Sequence, residues 1–239
     1  MFHVEQSIAF NNCCRANGLH LSNQQIETFE KYAGLLREWN AKINLVSRKD
    51  EQNLWGNHFL HSISPFFGRS VPGDLRVLDI GTGGGLPGIP MAIVKPGWAV
   101  TLMDSIAKKV LAIQDIVERL GMERIEVVRA RAEDGAVVRE RRGRYHLVVA
   151  RGVAPLVDLA RWSRPYLMKG TSPVEGTAEK QLPVPSLVAF KGGDIESELK
   201  ELRVKVPGAV QWVGTLVFPG STELGLEEKK LVVLQFTNH

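Results

Sequence analysis

Residues 77–88 read VLDIGTGGGLPG, a short apolar run with one acidic residue that opens directly into a glycine-rich turn. Val77, Leu78 and Ile80 predict a short buried strand of the parallel kind. Gly81, Gly83, Gly84 and Gly85 let the backbone turn sharply with positive φ and no Cβ in the way, so a ligand can approach the main chain closely. Pro87 and Pro90 suit the first turn of a following helix, where a missing N–H is tolerated, and set that helix N-terminus toward the ligand. A strand, a glycine turn and a helix in this order grip a nucleotide-type cofactor.

Glycine spacing separates the cofactor classes. A dinucleotide fingerprint has G-x-G-x-x-G directly after the strand, but the last of those positions is Leu86. The spacing that fits is G-x-G-x-G on Gly81, Gly83 and Gly85, preceded by Asp79. A second frame, Gly83, Gly85 and Gly88, leaves a nicotinamide dinucleotide open, and an ordinary strand-to-helix turn is the plain alternative. Four glycines within five positions argue against the plain turn, because each costs about 0.5–1 kcal/mol of backbone entropy on ordering.

Twenty-three positions beyond Gly81, the run Val100, Thr101, Leu102, Met103 predicts a second strand that ends in Asp104. An acidic side chain there can accept hydrogen bonds from both hydroxyls of a ribose. Ile125, Val127 and Val128 predict a third strand, followed by Arg129, Ala130, Arg131, Ala132, Glu133 and Asp134. A carboxylate and backbone amides at that strand end can meet the amino group and ring nitrogens of an adenine, and Ala132 is small enough for a base to lie against it. Taken singly, the first acid reads as a solvated strand end and the second group as a charged surface loop. Their order behind the glycine turn favours the cofactor. A fourth strand runs from Tyr145 to Ala150 and ends in Arg151.

With 239 residues, 44% hydrophobic and 23% charged, the chain has the make-up of a globular protein and the length of one α/β domain plus an extension. It holds no run of eighteen apolar residues and no basic-then-apolar leader, so the expectation is a cytoplasmic protein away from the membrane. Cys13 and Cys14 are adjacent, which excludes a normal bridge between them and any disulfide framework.

Residues 1–70 are expected to form a helical extension and residues 71–239 the main domain. Ser22 and Gln25 have capping-box spacing, and Ile26, Phe29, Ala33, Leu36 and Asn40 follow helical periodicity, widened by Tyr32, Leu35 and Trp39. The segment from Asn44 to Arg48 is a break, after which a further helix carries Trp55, His58, Phe59 and Ile63; Pro72 and Gly73 mark the boundary. Beyond Arg151, residues 156–167 suit a helix, and residues 170–186 are rich in Pro, Gly, Ser, Thr and Glu and read as a mobile loop. Residues 187–190 predict a fifth strand, followed by Lys191 and an acidic-led helix from Asp194. The runs 210–217 and 231–236 are too close for a helical crossover and are expected to pair antiparallel. This alternation predicts an α/β, doubly wound, Rossmann-like sheet, mostly parallel with an antiparallel last strand.

Several segments together resemble the RsmG (GidB) family: EWNAKINLVS at 38–47, NHFLHSI at 57–63, VLDIGTGGGLPGIP at 77–90, LMDSIAKK at 102–109, RAED at 131–134, ARG at 150–152 and FKGG at 190–193. Members of that family are bacterial class I methyltransferases that use S-adenosylmethionine to methylate N7 of one guanine in small-subunit ribosomal RNA. The resemblance covers most of residues 20–239. It implies cofactor contacts from Gly81, Gly83, Gly85 and Leu86 in the first loop, from Asp104, Ser105 and Ile106 at the ribose, from Ala132 and Glu133 around the adenine, and from Arg151 at the fourth strand. It implies S-adenosylmethionine as cofactor, with S-adenosylhomocysteine as product, and 16S ribosomal RNA, the small subunit or an assembly intermediate as partner of a monomer. Asn44, His58 and Lys191 are candidates for RNA contact. The chain departs from the family pattern at His61, where an aspartate is usual, at Val153, where a phenylalanine is common, and in residues 171–185, which look like an insertion.

The chemistry agrees from another side. Guanine N7 has an in-plane lone pair and no proton to lose, so its methylation needs alignment and desolvation more than a general base, and no dedicated catalytic residue is expected. Exocyclic amine methylation usually takes an Asn/Asp-Pro-Pro-aromatic turn after the fourth strand, where this chain has ARGVAP, and pyrimidine carbon methylation takes a cysteine nucleophile, whereas Cys13 and Cys14 lie in another region. Net charge is +4, and residues 129–144 hold Arg129, Arg131, Arg139, Arg141, Arg142 and Arg144 against Glu133, Asp134 and Glu140, a surface that attracts phosphates or is simply solvated. Lys42, Arg48, Lys108, Lys109 and Lys191 can extend it. His58 and His61, three apart, lack a third ligand of suitable spacing, so no metal is expected. Two other readings stay open here, a nicotinamide-binding oxidoreductase on the Gly83 frame and an RNA-binding module without activity.

Overall fold

Strand β1 (Arg76–Ile80) occupies the middle of a seven-stranded sheet of order β3-β2-β1-β4-β5-β7-β6. The other strands are β2 (Ala99–Asp104), β3 (Ile125–Arg129), β4 (Leu147–Arg151), β5 (Ser186–Gly192), β6 (Ala209–Thr215) and β7 (Lys229–Phe236). The structure is a computed structural model and describes residues 2–47, 51, 53–170, 181–222, 226 and 228–236. Arg48 and residues 171–180 of the expected loop lie outside the described residues.

The five strands β1 to β5 are parallel, and β7 enters antiparallel between β5 and β6. Buried apolar runs on β1, β4 and β5 reflect cover on both faces. Val77, Leu147, Val149, Val188, Leu231 and Val233 point to one side, while Leu78, Val148, Ala150, Leu187, Ala189 and Val232 point to the other. This is the two-residue alternation of a strand buried in both layers.

The first face carries helices α1 (Phe2–Ala16), α2 (Asn23–Asn40), an irregular helical segment over residues 54–66, α3 (Gly88–Val94) and α4 (Ala107–Leu120). The second carries α5 (Gly135–Arg141), α6 (Leu156–Ser163) and α7 (Glu196–Lys205). The capping box at the start of α2 is present, with Ser22 and Gln25 bonded reciprocally, and the Gln25 amide also donates to the Ile93 and Val94 carbonyls. Phe10, Phe29, Tyr32, Trp55 and Phe59 form an aromatic cluster with neighbouring centroids 5.0–5.5 Å apart, joining α1, α2 and the 54–66 segment.

Three elements differ from expectation. Helix α1 has no clear periodic signal in the sequence: its Phe10, Cys13 and Cys14 are buried, while Ile8 is exposed. The helix expected around Trp55 and Phe59 is a π-helical turn over Leu54–Leu60 that tightens through His61–Ile63 to a 3-10 turn at Ser64–Phe66. The fourth strand begins at Leu147; Tyr145 instead makes an isolated bridge to Leu167.

Candidate active site

Asp79, on β1, is fully buried, and its Oδ2 accepts from the Thr82 hydroxyl at 2.6 Å and the Gly88 N–H at 2.9 Å. One carboxylate oxygen therefore closes the glycine loop at both ends. Burial is the main cause that pushes the Asp79 carboxyl up to about 7, against the hydrogen bonds from Thr82 and Gly88 and the nearby Arg151 charge, which act to lower it. Across the loop, Asp104 at the end of β2 accepts from Gly83 N–H at 3.0 Å and from Ile106 N–H at 2.9 Å. Tyr32 of α2 donates to the Gly84 carbonyl at 2.8 Å. Three elements thus hold the loop in place.

The loop's left-handed positions are Gly81, Gly83 and Gly85, with φ of 68°, 60° and 93°. A Cβ on Gly81 would meet Val153 Cγ2 at 2.6 Å, so the missing side chain leaves room for the chain that follows β4. Gly88 serves a different end. Its N–H is given to Asp79, and a Cβ would lie 2.3 Å from Leu102 Cδ2. The first N–H of α3 is therefore taken by Asp79 inside the fold and is not free for a ligand.

Beside this loop, at the carboxyl ends of β1, β2 and β3, lies a cavity of about 390 Å³. Open parallel sheets bind ligands at that edge. Of the sequence-predicted set, Gly81, Asp104, Ser105, Ile106, Ala132 and Glu133 line it. Ala132 is buried, and its carbonyl accepts from the Tyr166 hydroxyl at 2.8 Å, which fixes the wall after β3. Gly83 acts through its bond to Asp104, whereas Gly85 and Leu86 are buried on the underside of the loop and do not line the cavity. Met103, Gly152, Val153 and Trp162 also line it; Gly152 and Val153 fall in and beside the ARG segment, whereas nothing in the sequence singles out Met103 or Trp162 as site residues. A larger cavity of about 550 Å³ sits around Gln25, Trp98 and Ile125, at the opposite, amino ends of the strands.

Gly152 is shared with a second cavity of about 210 Å³, lined also by Asn57, His58, His61, Arg151, Phe190, Lys191 and Lys229. Sheet registry assembles it, since Arg151 pairs with Phe190 across β4 and β5, and Gly192 with Lys229 across β5 and β7. Arg151 thus lines this second space. Its guanidinium donates to the Asn57 and His58 carbonyls at 3.3 and 3.4 Å and contacts the His58 ring. Lys191 is held by Glu198 at 2.7 Å and by the Ala154 carbonyl at 3.0 Å. Asn44 is exposed in the turn after α2 and lines neither cavity; its neighbour Leu45 packs near Gly84.

The arginine run divides. Arg141 forks onto both Glu126 oxygens at 2.7 Å and onto the Tyr145 hydroxyl at 3.1 Å, so it ties α5 to the sheet. Arg129, Arg139, Arg142 and Arg144 are exposed, and Arg131 lies 3.7 Å from Glu133. Among the described residues no group of three or more His, Cys, Asp or Glu side chains is placed to hold a metal ion, and no helix is long and apolar enough to cross a membrane.

The family model described as rRNA small subunit methyltransferase G matches residues 25–181. The Ribosomal RNA small subunit methyltransferase G of Christiangramia forsetii is 39% identical over 183 residues, which are 77% of this chain and 80% of that protein. Its namesake from Porphyromonas gingivalis is 35% identical over 216 residues, 90% of this chain and 89% of that protein. Among solved structures, a Corynebacterium glutamicum protein matches with a TM-score of 0.54 and 16% identity, covering 87% of this chain and 91% of that one. An Agrobacterium tumefaciens protein named as a predicted O-methyltransferase matches with a TM-score of 0.53 and 15% identity, covering 73% and 79%. These two likenesses establish the shared fold.

Proposed function

The chain belongs to the rRNA small subunit methyltransferase G family, and from that we propose that it transfers a methyl group from S-adenosylmethionine to N7 of one guanine of 16S ribosomal RNA. One observation carries the reading: the cavity formed by Gly81, Asp104 and Ala132 meets a second, cation-lined cavity at Gly152. The first has the parts a nucleoside with an amino acid tail needs, namely a close main-chain approach at Gly81, an acid at the strand end and a small buried Ala132 beside Glu133.

S-adenosylmethionine, when bound, supplies the electrophilic methyl. The protein's own residues have to bind, orient and exclude water, because N7 carries no proton to remove. Asp104 would hold the ribose, with Ser105 and Ile106 alongside, and Ala132 and Glu133 the adenine. Gly83, Gly85 and Leu86 shape the loop. Arg151, pinned to the 54–60 turn, lines the second space beside Gly152, which the two cavities share. The exposed arginines of residues 129–144 give the phosphate-attracting surface around the mouth, and His58, Lys191 and Asn44 are the remaining candidates on the acceptor side. The reading carries with it a cytoplasmic monomer, with residues 1–70 as a helical extension of the methyltransferase unit at 71–239, acting on naked 16S RNA, the subunit or an assembly intermediate.

The direct test supplies labelled cofactor and 16S RNA from cells lacking this protein, then maps the modified nucleotide by cleavage specific for 7-methylguanine. One labelled, cleavable guanine is expected. Label at an exocyclic amine, a ring carbon or a ribose overturns the assignment of the atom, and the absence of label in RNA and subunits alike overturns the function.

A further inference from the structure

The loop that joins β4 to α6, residues 152–155, belongs to both cavities, and side chains outside it decide where it lies. Gly152 lines the two spaces together, and Val153 lines the cofactor space with its isopropyl group over Gly81, where a Cβ would come within 2.6 Å of Cγ2. The loop has neither helix nor strand structure of its own. It ends at Pro155, which has no side-chain oxygen to cap α6, so the Leu156 N–H at the first position of that helix needs an acceptor from elsewhere. Glu198, on α7, is that acceptor. Its Oε2 takes the Leu156 N–H at 2.8 Å and the Lys191 ammonium at 2.7 Å, and the ammonium in turn donates to the Ala154 carbonyl at 3.0 Å. One carboxylate oxygen thereby ties α7 and the end of β5 to the loop at residues 154 and 156.

We propose that Glu198 is a positioning residue for methyl transfer: through Leu156 and Lys191 it fixes Gly152 and Val153 at the junction of the two cavities. This assignment rests on the methyl-transfer reading above. Both bonds to Glu198 suit the task. A carboxylate is favoured at a helix N-terminus, and its hydrogen bonds with an ammonium are stronger than those between neutral groups. The side chains of Lys191 and Glu198 are only 14% and 31% exposed, so salt screens this pair less than one on the open surface. Glu198 lines neither cavity and acts through the loop. A misplacement of about 1 Å, even by a change far from the chemistry, can cost about 100-fold in rate. The contacts proposed for the cofactor at Gly81, Asp104 and Ala132 follow β1, β2 and β3, outside the reach of these bonds, so loosening the loop should slow transfer while the cofactor still binds.

The test compares wild type, Glu198→Ala, Glu198→Gln, Lys191→Met and the double variant Glu198→Ala/Lys191→Met. Each is used as the full chain with S-adenosylmethionine and 16S RNA or small subunits, whichever the wild type methylates. Glu198→Ala is expected to lower kcat by about tenfold or more, with S-adenosylhomocysteine affinity within about threefold of wild type. Glu198→Gln, whose amide oxygen can still accept both bonds, should keep kcat within about threefold. The double variant should be no slower than the slower single one, because both changes release the same loop, whereas independent effects would multiply. Wild-type kcat in a folded Glu198→Ala, a loss matched by an equal loss of S-adenosylhomocysteine affinity, or multiplying effects in the double variant overturns the assignment. Should the alanine variant not fold, hydrogen exchange of the wild type decides: a Leu156 amide slowed by about tenfold or more is expected, and one that exchanges like an unstructured amide overturns it. A Glu198→Gln enzyme slowed by about tenfold or more overturns it equally. No transfer by the wild type to any ribosomal substrate removes the proposed function and this inference with it, whereas transfer that none of the variants alters removes the inference alone.

Discussion

The Asp104 carboxylate accepts the Gly83 N–H at 3.0 Å, so the end of β2 holds the centre of the glycine loop. The same carboxylate takes the Ile106 N–H at 2.9 Å and lines the larger cavity of the strand edge. It therefore organises the site before any ribose arrives. Asp104→Ala leaves two backbone donors without their acceptor and removes the ribose contact proposed for this carboxylate. Hydrogen bonds to a charged group contribute about 1.5–3 kcal/mol each, so S-adenosylmethionine affinity should fall by about 100-fold or more. Asp104→Asn keeps one acceptor and should fall between. Calorimetry giving wild-type affinity for Asp104→Ala would show that the cofactor is held elsewhere.

Gly81 and Val153 share one volume, and this makes a second prediction. Alanine at 81 adopts a left-handed φ of 68° and places its Cβ 2.6 Å from Val153 Cγ2. The backbone part costs about 1–2 kcal/mol wherever a non-glycine residue is forced into that region, and the clash adds to it. Adding Val153→Ala should relieve only the clash. The double variant should be less destabilised than the two single changes predict, by at least about 0.5 kcal/mol. Chemical denaturation of the four proteins measures the coupling, and strict additivity would mean that Val153 moves away freely.

How far the sequence was legible depends on how local each signal is. The strands were readable because Val77, Leu78, Val148 and Val149 form unbroken apolar runs, as a two-sided buried sheet demands. The π-helical turn was not, because Trp55 and Phe59 keep ordinary helical spacing while the backbone widens around them. Asp79 looked like a mere neighbour of the glycines. Its partners lie three and nine residues away, and only the closed loop brings Thr82 and Gly88 to one oxygen. The second cavity draws on residues near 57–61, 151, 190 and 229, which sheet order alone places together. The ARG and FKGG segments carry a visible resemblance, but nothing in their spacing points to Lys229. In the same way the Glu198 partner of Lys191, supplied by a helix packed on β5, is not visible in the sequence around Lys191.

The exposed arginines give a third prediction. Arg139, Arg142 and Arg144 are exposed, whereas Arg141 is spent on Glu126 and Tyr145. Replacing the first three by alanine should leave S-adenosylmethionine affinity unchanged and lower the log–log salt slope of RNA binding by about 2, near 0.7 for each phosphate that the protein no longer neutralises. Arg141→Ala should instead lower stability, because Glu126 and Tyr145 lose their partner, and leave that slope intact. Filter binding across a salt series separates the two. A slope unmoved by the triple change would take RNA off this face of the molecule.

Asp79 gives the last prediction, and its sign follows from the direction of its shift. The carboxyl titrates near 3.8 when solvated and at about 7 in the folded protein, where burial opposes its charge. Below the lower value both states are protonated and the folded state carries no penalty. Between the two values the folded chain keeps a proton that the unfolded chain has released, so each rise in pH favours unfolding. The loss reaches at most about 1.4 kcal/mol per pH unit and levels off above the folded pKa. Asp79→Asn retains an oxygen for Thr82 and Gly88 but cannot titrate. Urea unfolding of both proteins from pH 5 to 8 should therefore show wild type losing stability relative to the variant as pH rises through 7, with the difference constant beyond it. A gap that does not change with pH would mean that Asp79 is charged in the fold throughout, and that the loop is closed by a carboxylate whose burial is compensated in some other way.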